Sequence, residues 1–325
     1  MLFLKYSEIP GLLTTDQVIN AVRAGLKEQS EGLVQVPPRT TVDSNKGHGW
    51  LRLMPAILNG SGVMGFKFMH STPGVGVGYV VALYDMHTGN LLAQVDADWI
   101  TSQRTAASAA ISVDELANKG ARTVGIIGSS EQARAMLGAV SRVRKFENVK
   151  VFSPTAENRR KFADAMGEKL NLNIEPVDRP ELAVKDREVV LSVYRAGTTP
   201  VIFGDWLGKG THMCSVSAVR PVAREIDDSV WRAATRVFAD DKQHVFESGD
   251  GLSALASGAT AKEKVDELWE VIGRKKPGRT QANDITLYKA VGYGLQDVIV
   301  AKALYEAAKN AGVGQDIGEF PRLRR

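Results

Sequence analysis

Between residues 123 and 240 the chain repeats one pattern: a short apolar run, then in most cases a longer segment with helical spacing. The runs are TVGIIG (123–128), VKVFS (149–153), REVVLSVY (187–194), THMCSVSA (211–218) and TRVFAD (235–240). Strands this apolar are buried on both faces, and strands separated by helices pair in parallel beneath two helical layers. The pattern constrains the middle of the chain to the α/β class, with a parallel sheet covered on both faces.

The first third has another rhythm. Residues 14–29 (TTDQVINAVRAGLKEQ) place Val18, Ile19, Val22 and Leu26 on one helical face, with Thr14 or Thr15 as N-cap. Strand-like runs follow: LVQVPPRTTV, GWLRLMP, GVMGFKFM, GYVVALYDM and NLLAQVD. The last two are joined by H-T-G-N at 87–90, a hairpin signal. Residues 97–119 are rich in Ala and Ser and read as a tightly packed helix. After the middle, KEKVDELWEVI (262–272) reads as a helix, and 292–312 as a long amphipathic helix closed by Gly312. We therefore expect two domains. Residues 1–119 with 293–325 form an α+β unit to which the last helix returns, and residues 120–292 form the parallel-sheet unit.

A chain of 325 residues has room for both. Its net charge is only +4, and basic residues are scattered apart from RKK (274–276) and RLRR (322–325). These read as solvated ends, so no nucleic-acid partner is expected. The single cysteine, Cys214, can form no disulfide within the chain and fits a reducing cytoplasm. The five histidines lie far apart and give no metal-ligand spacing. The start, MLFLKYSEIPG, lacks the build of a signal peptide, and no apolar run approaches the ~20 residues that span a membrane.

Residues 124–134, VGIIGSSEQAR, read as a strand, a turn and the start of a helix. A dinucleotide fingerprint G-x-G-x-x-G/A would use Gly128, Ser130 and Ala133, with serine in place of the second glycine. In such a turn the phosphates meet Gly128, Ser129, Ser130, Glu131 and Gln132, where helix-start N–H groups favour negative charge. The serine adds bulk but also a hydroxyl donor. A site for NAD would place Asp or Glu at the end of the next strand, to bind the ribose 2′-hydroxyl. Here, 25 residues after Gly128, that strand ends in Ser153, followed by PTAENRRKF. Ser153, Thr155 and Arg159 (or Arg160) could instead hold a 2′-phosphate. We expect NADP(H) to be preferred, with NAD(H) possible; the bland alternative is that ENRRK is a solvated helical turn.

PPR (37–39), LRLMP (51–55), GFK (65–67), D-x-x-T-G (85–89), ITSQRTAA (100–107), IIGSSEQA (126–133), RPVAREID (220–227) and VGYGLQD (291–297) occur in an order that resembles the ornithine cyclodeaminase/mu-crystallin family over nearly the whole chain. The resemblance implies a Rossmann-type cofactor domain, a second domain that dimerises and binds substrate, an NAD(P)(H) cofactor, and a small α-amino or α-imino acid substrate. It implies Lys67 as the active-site lysine and Arg39 and Arg104 as the carboxylate clamp. Arg104 and Thr105 would stand beside the cofactor phosphates. Ser192 and Val193 end a strand at the edge where dinucleotides lie, and Lys289 with Gly292 match a segment near the nicotinamide. His70 follows Lys67 by three, but Thr72 stands where the family often has a histidine.

Three activities remain open on this basis. The first is an imine reductase, reversible as an amino-acid dehydrogenase. The second is a cyclodeaminase that recycles NAD, and the third is a binding protein such as mu-crystallin. Cyclodeaminases carry an aspartate at the position matching Val219 and a second acid at the position matching Arg52. The resemblance thus speaks against ring closure of a diamino acid, and leaves Arg52 to share the carboxylate clamp or to take a second carboxylate.

Overall fold

The structure, a computed structural model, describes residues 1–194, 197–318 and 320. The RLRR run at 322–325 lies outside the described residues. In chain order the elements begin with β1 (Leu2–Leu4), α1 (Thr15–Ser30), β2 (Val34–Gln35), β3 (Thr40–Asp43), β4 (Trp50–Leu58), β5 (Val63–Thr72), β6 (Gly76–Asp85), β7 (Leu91–Asp96) and α2 (Asp98–Leu116). Then come β8 (Thr123–Ile127), α3 (Glu131–Val143), β9 (Asn148–Phe152), α4 (Ala156–Leu170), β10 (Asn173–Val177), α5 (Pro180–Val184), β11 (Val189–Ser192) and β12 (His212–Ser215). They are followed by α6 (Asp228–Ala233), β13 (Arg236–Ala239), α7 (Lys242–Val245), α8 (Gly249–Ala256), β14 (Val265–Glu267), α9 (Leu268–Ile272), β15 (Thr286–Lys289), α10 (Gly294–Ala311) and β16 (Gln315–Asp316).

The chain divides into two compact units, Met1–Arg104 with Tyr293–Arg325, and Thr105–Gly292. The division falls inside α2, whereas the sequence reading drew it after that helix, at 119.

In the first unit the strands run in the order β16-β1-β7-β6-β5-β4-β2, with β3 also on β4. Pairing is antiparallel except where β1 joins β7. The α1 helix starts in a capping box: the Gln17 N–H donates to Thr14 Oγ1 at 3.3 Å, and the Thr14 N–H donates to Gln17 Oε1 at 2.8 Å. Its buried stripe is Val18, Ile19, Val22 and Leu26. Against it and against β4 and β5 packs α10. That helix is less amphipathic than its sequence suggested: Gly294 through Ala301 are all buried, because neighbours cover it on several sides. Its first turn comes so close to β4 that a Cβ on Gly294 would strike the carbonyl of Pro55. The run LVQVPPRTTV is not one strand but two, β2 and β3, since neither Pro37 nor Pro38 can donate to a ladder.

The second unit is an eight-stranded sheet among the described residues, parallel throughout, in the order β10-β9-β8-β11-β12-β15-β13-β14. Its centre, β11 and β12, is fully buried, as the apolar runs required. One expectation fails. KEKVDELWEVI is not a single helix: 262–264 form a 3-10 turn, Val265 to Glu267 pair as β14 with β13, and only α9 is helical. Pairing at the open sheet edge overrides helical propensity there, and Glu267 then caps α9 through a box with Glu270.

Candidate functional site

In the first unit the site is built on three elements. Along β5, Val63, Gly65 and Lys67 are buried while Met64, Phe66 and Phe68 are less so, as strand alternation demands. Lys67 faces Met54 across β4 and Val81 across β6. It is 1% exposed, and its Nζ donates to Asp297 Oδ1 at 2.9 Å and to Thr101 Oγ1 at 3.4 Å. Asp297 comes from the first turn of α10, where the helix dipole favours an anion. Thr101 and Arg104 come from α2. Arg104 Nη1 donates to Gln296 Oε1 at 2.7 Å. Its Nε lies 3.2 Å from the same Asp297 Oδ1, close enough for an ion pair but not aimed for a hydrogen bond. Asp297 Oδ2 is buried and accepts no hydrogen bond among the described residues.

Burial is the largest influence on Lys67 and brings its pKa down to about 8; Asp297 pulls it up, and Arg104 and Arg52 push it down. Arg52 shares the inward face of β4 with Met54. Its Nε donates to Thr41 Oγ1 at 2.9 Å, and its guanidinium lies 5.2 Å from the centre of the Trp50 ring. The Tyr79 ring is 5.9 Å from the Lys67 ammonium. Its phenol is raised, mainly by burial and then by Asp98, with Arg104 and Arg52 opposing. Arg39 is half-buried and immediately precedes Thr40, which pairs with Leu53; it is one step from the register of Met54. Three strand residues from Lys67, His70 points the other way and is exposed, which removes it from this group.

In the second unit the turn after β8 is held from both sides. The Gly128 N–H donates to the Phe152 carbonyl at 2.8 Å, and the Val193 N–H to the Ile127 carbonyl at 2.8 Å. Gly128 has φ +121°, and a Cβ there would sit 2.6 Å from the Val193 carbonyl oxygen. Only glycine fits this place. Ser130 has ordinary extended φ and serves as the N-cap of α3, its Oγ accepting from the Ala133 N–H at 3.3 Å. The second glycine is therefore not needed for backbone reasons, and the serine hydroxyl is already engaged. The N–H groups of Glu131 and Gln132 have no intrahelical acceptor, as at any helix start. The Glu131 side chain turns out to solvent and pairs with Arg134.

At the end of β9, Ser129 Oγ donates to Ser153 Oγ at 3.0 Å, and Arg159 Nη1 donates to the Ser153 carbonyl at 3.0 Å. The structure thus brings together Ser129, Ser153 and Arg159. Thr155 stands exposed as the N-cap of α4 without a capping bond.

The other proposed cofactor residues are committed to neighbours. Ser192 Oγ donates to Glu225 Oε1 at 2.6 Å. Lys289 is fully buried and meets Asp250 Oδ2 at 2.9 Å, Glu225 Oε2 at 3.3 Å and Ser215 Oγ at 2.8 Å. Burial alone would lower this ammonium, but Asp250 and Glu225 together raise it. Glu225 also accepts from Ser215 Oγ and, at 3.0 Å, from the Ser217 N–H. Gly292, at φ +74°, donates its N–H to Asp240 Oδ2 at 2.7 Å. Thr105 is buried in the α2 turn that follows Arg104. Val219 packs against the apolar core of this unit.

The sequence reading missed Asp297, Gln296, Glu225, Asp250 and Asp240. Gln296 and Asp297 closed the quoted motif VGYGLQD, and Asp297 was also legible as an acid in the opening turn of a long apolar helix. Glu225 lay inside a quoted motif but had nothing to mark its role. No group of three or more potential metal-ligating side chains occurs among the described residues.

Fold and site define a class: a parallel dinucleotide-type sheet in one chain with an antiparallel sheet that carries a buried lysine beside an arginine. The model of the ornithine cyclodeaminase/mu-crystallin family matches residues 1–312, and the chain belongs to that family. It is 33% identical, with a TM-score of 0.93, to the Δ1-pyrroline-2-carboxylate reductase of Thermococcus litoralis, solved with NADH and L-proline, covering 98% of this chain and 100% of that one. An archaeal alanine dehydrogenase, solved as a dimer with NAD, is 30% identical with a TM-score of 0.91 over 98% and 99% of the two chains. The ketimine reductase mu-crystallin of Mus musculus is 31% identical over 94% of this chain and 96% of its own.

Proposed function

We propose that this protein is an NAD(P)H-dependent reductase of a small α-imino acid, a ketimine or cyclic imine, reversible as an amino-acid dehydrogenase. The observation that carries the reading is the charge count at Lys67. Two buried cations, Lys67 and Arg104, share one oxygen of one buried carboxylate, with Arg52 adding positive potential. A substrate carboxylate supplies the missing negative charge, and the arginine fork matches its geometry. The relatives named for Δ1-pyrroline-2-carboxylate, ketimine and alanine chemistry support the same substrate class.

The β8 turn fits a dinucleotide: Gly128 makes a tight turn against the Val193 carbonyl that only glycine allows, and the start of α3 that follows offers N–H groups without intrahelical acceptors. A nicotinamide dinucleotide held through its phosphates by this turn would supply hydride chemistry when reduced. Lys67 carries the proton for the imine nitrogen; with a pKa of about 8 it is mostly charged at pH 7 yet able to release it. After release, neutral lysine regains a proton from water. Arg104, with Arg39 and Arg52, orients the carboxylate.

The finer assignments follow from side chains. Ser129, Ser153 and Arg159 favour a 2′-phosphate, hence NADP(H) over NAD(H). A homodimer is supported by an apolar outer sheet face in which Leu53, Phe68 and Val80 form a row across β4, β5 and β6, with Leu51 and Ile57 beside it. No helix among the described residues is long and apolar enough to cross a membrane. The cytoplasm suits the lone buried thiol of Cys214, pushed up to about 12 by burial.

The deciding experiment is a reductase screen with NADPH and NADH against cyclic imino acids, and against 2-oxo acids with ammonia or methylamine. We expect cofactor oxidation with at least one of them. Oxidation with none would refute the assignment.

A further inference from the structure

Lys67 and Arg104 stand on different elements, a strand and a helix, and nothing along the chain fixes one against the other. One tie is the 3.4 Å hydrogen bond from Lys67 Nζ to Thr101 Oγ1, on the same helix as Arg104; the charged tie, which reaches both groups, is Asp297. A single oxygen, Oδ1, lies 2.9 Å from Lys67 Nζ and 3.2 Å from Arg104 Nε, all three groups being buried. The adjacent residue, Gln296, accepts from the same guanidinium at 2.7 Å. Asp297 itself is held rigidly. It sits in the first turn of α10, whose entry against β4 admits only glycine at 294, and its other oxygen is sealed from water.

We propose that Asp297 is a positioning residue of the imine-reducing site, one oxygen setting the Lys67 ammonium and the Arg104 guanidinium in fixed relation for proton delivery and carboxylate binding. The proposal rests on the reductase reading. A buried carboxylate with an unused acceptor is costly, and a purely structural anion could have been left out together with one of the cations. Keeping both cations on one anion leaves the pair short of negative charge, which a substrate carboxylate completes.

The charged and titratable groups facing Lys67 are Asp297 on α10, Arg104 on α2, Arg52 on β4 and Tyr79 on β6. Among the described residues Asp297 is the one anion in this group, and Asp98 bears on Tyr79. Removing its charge leaves burial, Arg104 and Arg52, all of which lower the Lys67 pKa. Asp297→Asn should therefore lose its proton donor at lower pH than the unmodified enzyme does.

The test compares unmodified protein, Asp297→Asn and Asp297→Glu, each checked for native circular dichroism. Two readouts are taken: the pH profile of imine reduction, and titration of the Lys67 Nζ by 15N NMR, assigned with Lys67→Met. For Asp297→Asn we expect the basic limb and the Nζ titration both to move down by at least one pH unit, with activity at pH 8 lowered roughly 10²-fold, the scale of a positioned proton donor, and partly regained at pH 6. A merely structural role would lower activity equally at every pH. An unshifted limb and an unshifted Nζ titration would overturn the proposal. If Asp297→Asn does not fold, Asp297→Glu decides: the charge is kept but displaced by a methylene, so the limb should stay while kcat falls and KM rises. Unchanged kcat and KM in Asp297→Glu would overturn the proposal. Should the unmodified protein reduce no imine, the reductase reading fails by itself, and the Nζ titration still tests whether Asp297 governs Lys67.

Discussion

The molecule buries two lysines beside acids, and they have opposite fates. Lys289 in the second unit has two carboxylates, Glu225 and Asp250, and the Ser215 hydroxyl. Asp250 is shared with Arg224, which also pairs with Asp228, so three carboxylates face two cations and the Lys289 pKa is raised. Lys67 in the first unit has half a claim on one carboxylate, and two arginines oppose it; its pKa falls to about 8. Burial is the largest influence in both. The number of anions against cations decides whether a buried ammonium is locked as a strut or poised to give up a proton. A residue-type search ranks the two lysines alike, and only the count of their neighbours separates them.

The largest expected effect attacks the strut. Lys289→Met should destabilise the second unit by about 3–5 kcal/mol, the usual loss when one partner of a buried ion pair is removed. Urea unfolding should show this as a lower midpoint. If stability falls by less than about 1 kcal/mol, Lys289 is not the strut we describe.

Lys67→Ala comes next. Imine reduction should fall roughly 10²-fold or more, while NADPH affinity, read by fluorescence titration, should stay within a few-fold. Stability should change far less than in Lys289→Met. Near-normal turnover would end the proposed role of Lys67.

The contrast sharpens with pH. Lys67 holds its proton below about pH 8 and loses it above. Imine reduction, which consumes that proton, should decline as pH rises through about 8. Amine oxidation, which needs the neutral amine as acceptor, should increase over the same interval. Lys289 stays charged across this range and should add no limb. Parallel pH profiles for the two directions would contradict the assignment of the proton to Lys67.

A smaller effect is expected at the cofactor turn. NADPH should bind at least about tenfold more tightly than NADH, a difference of about 1.4 kcal/mol, and Ser153→Asp should reverse much of it by setting a carboxylate against a 2′-phosphate. Equal affinities in the unmodified protein would remove the argument from Ser153 and Arg159.

Much of this was legible along the chain. The buried strands of the second unit announced themselves as apolar runs, and Gly128 as the end of one. The Thr14 cap, the hairpin at 87–90 and the glycine closing α10 are local devices whose energies are set within a few residues. Lys67 and Arg104 stood in recognisable short motifs. The strands β10 and β15 were not legible. The first is an exposed edge containing Pro176, and the second is a four-residue run ending in a lysine whose counter-charges lie 39 and 64 residues back in sequence, at Asp250 and Glu225.

The sequence by itself determined the layer pattern, the helix ends, the glycine turn and the identity of the residues able to carry charge. It could not determine which charges meet. Asp297 reaches Lys67 across 230 residues of chain, and Glu225 gathers Ser192, Ser215 and Lys289 from three strands. Electrostatic energy depends on distance in space and on exclusion of water, and neither is set until helix and sheet have packed. Tertiary structure alone therefore decided which lysine is held and which can give up its proton.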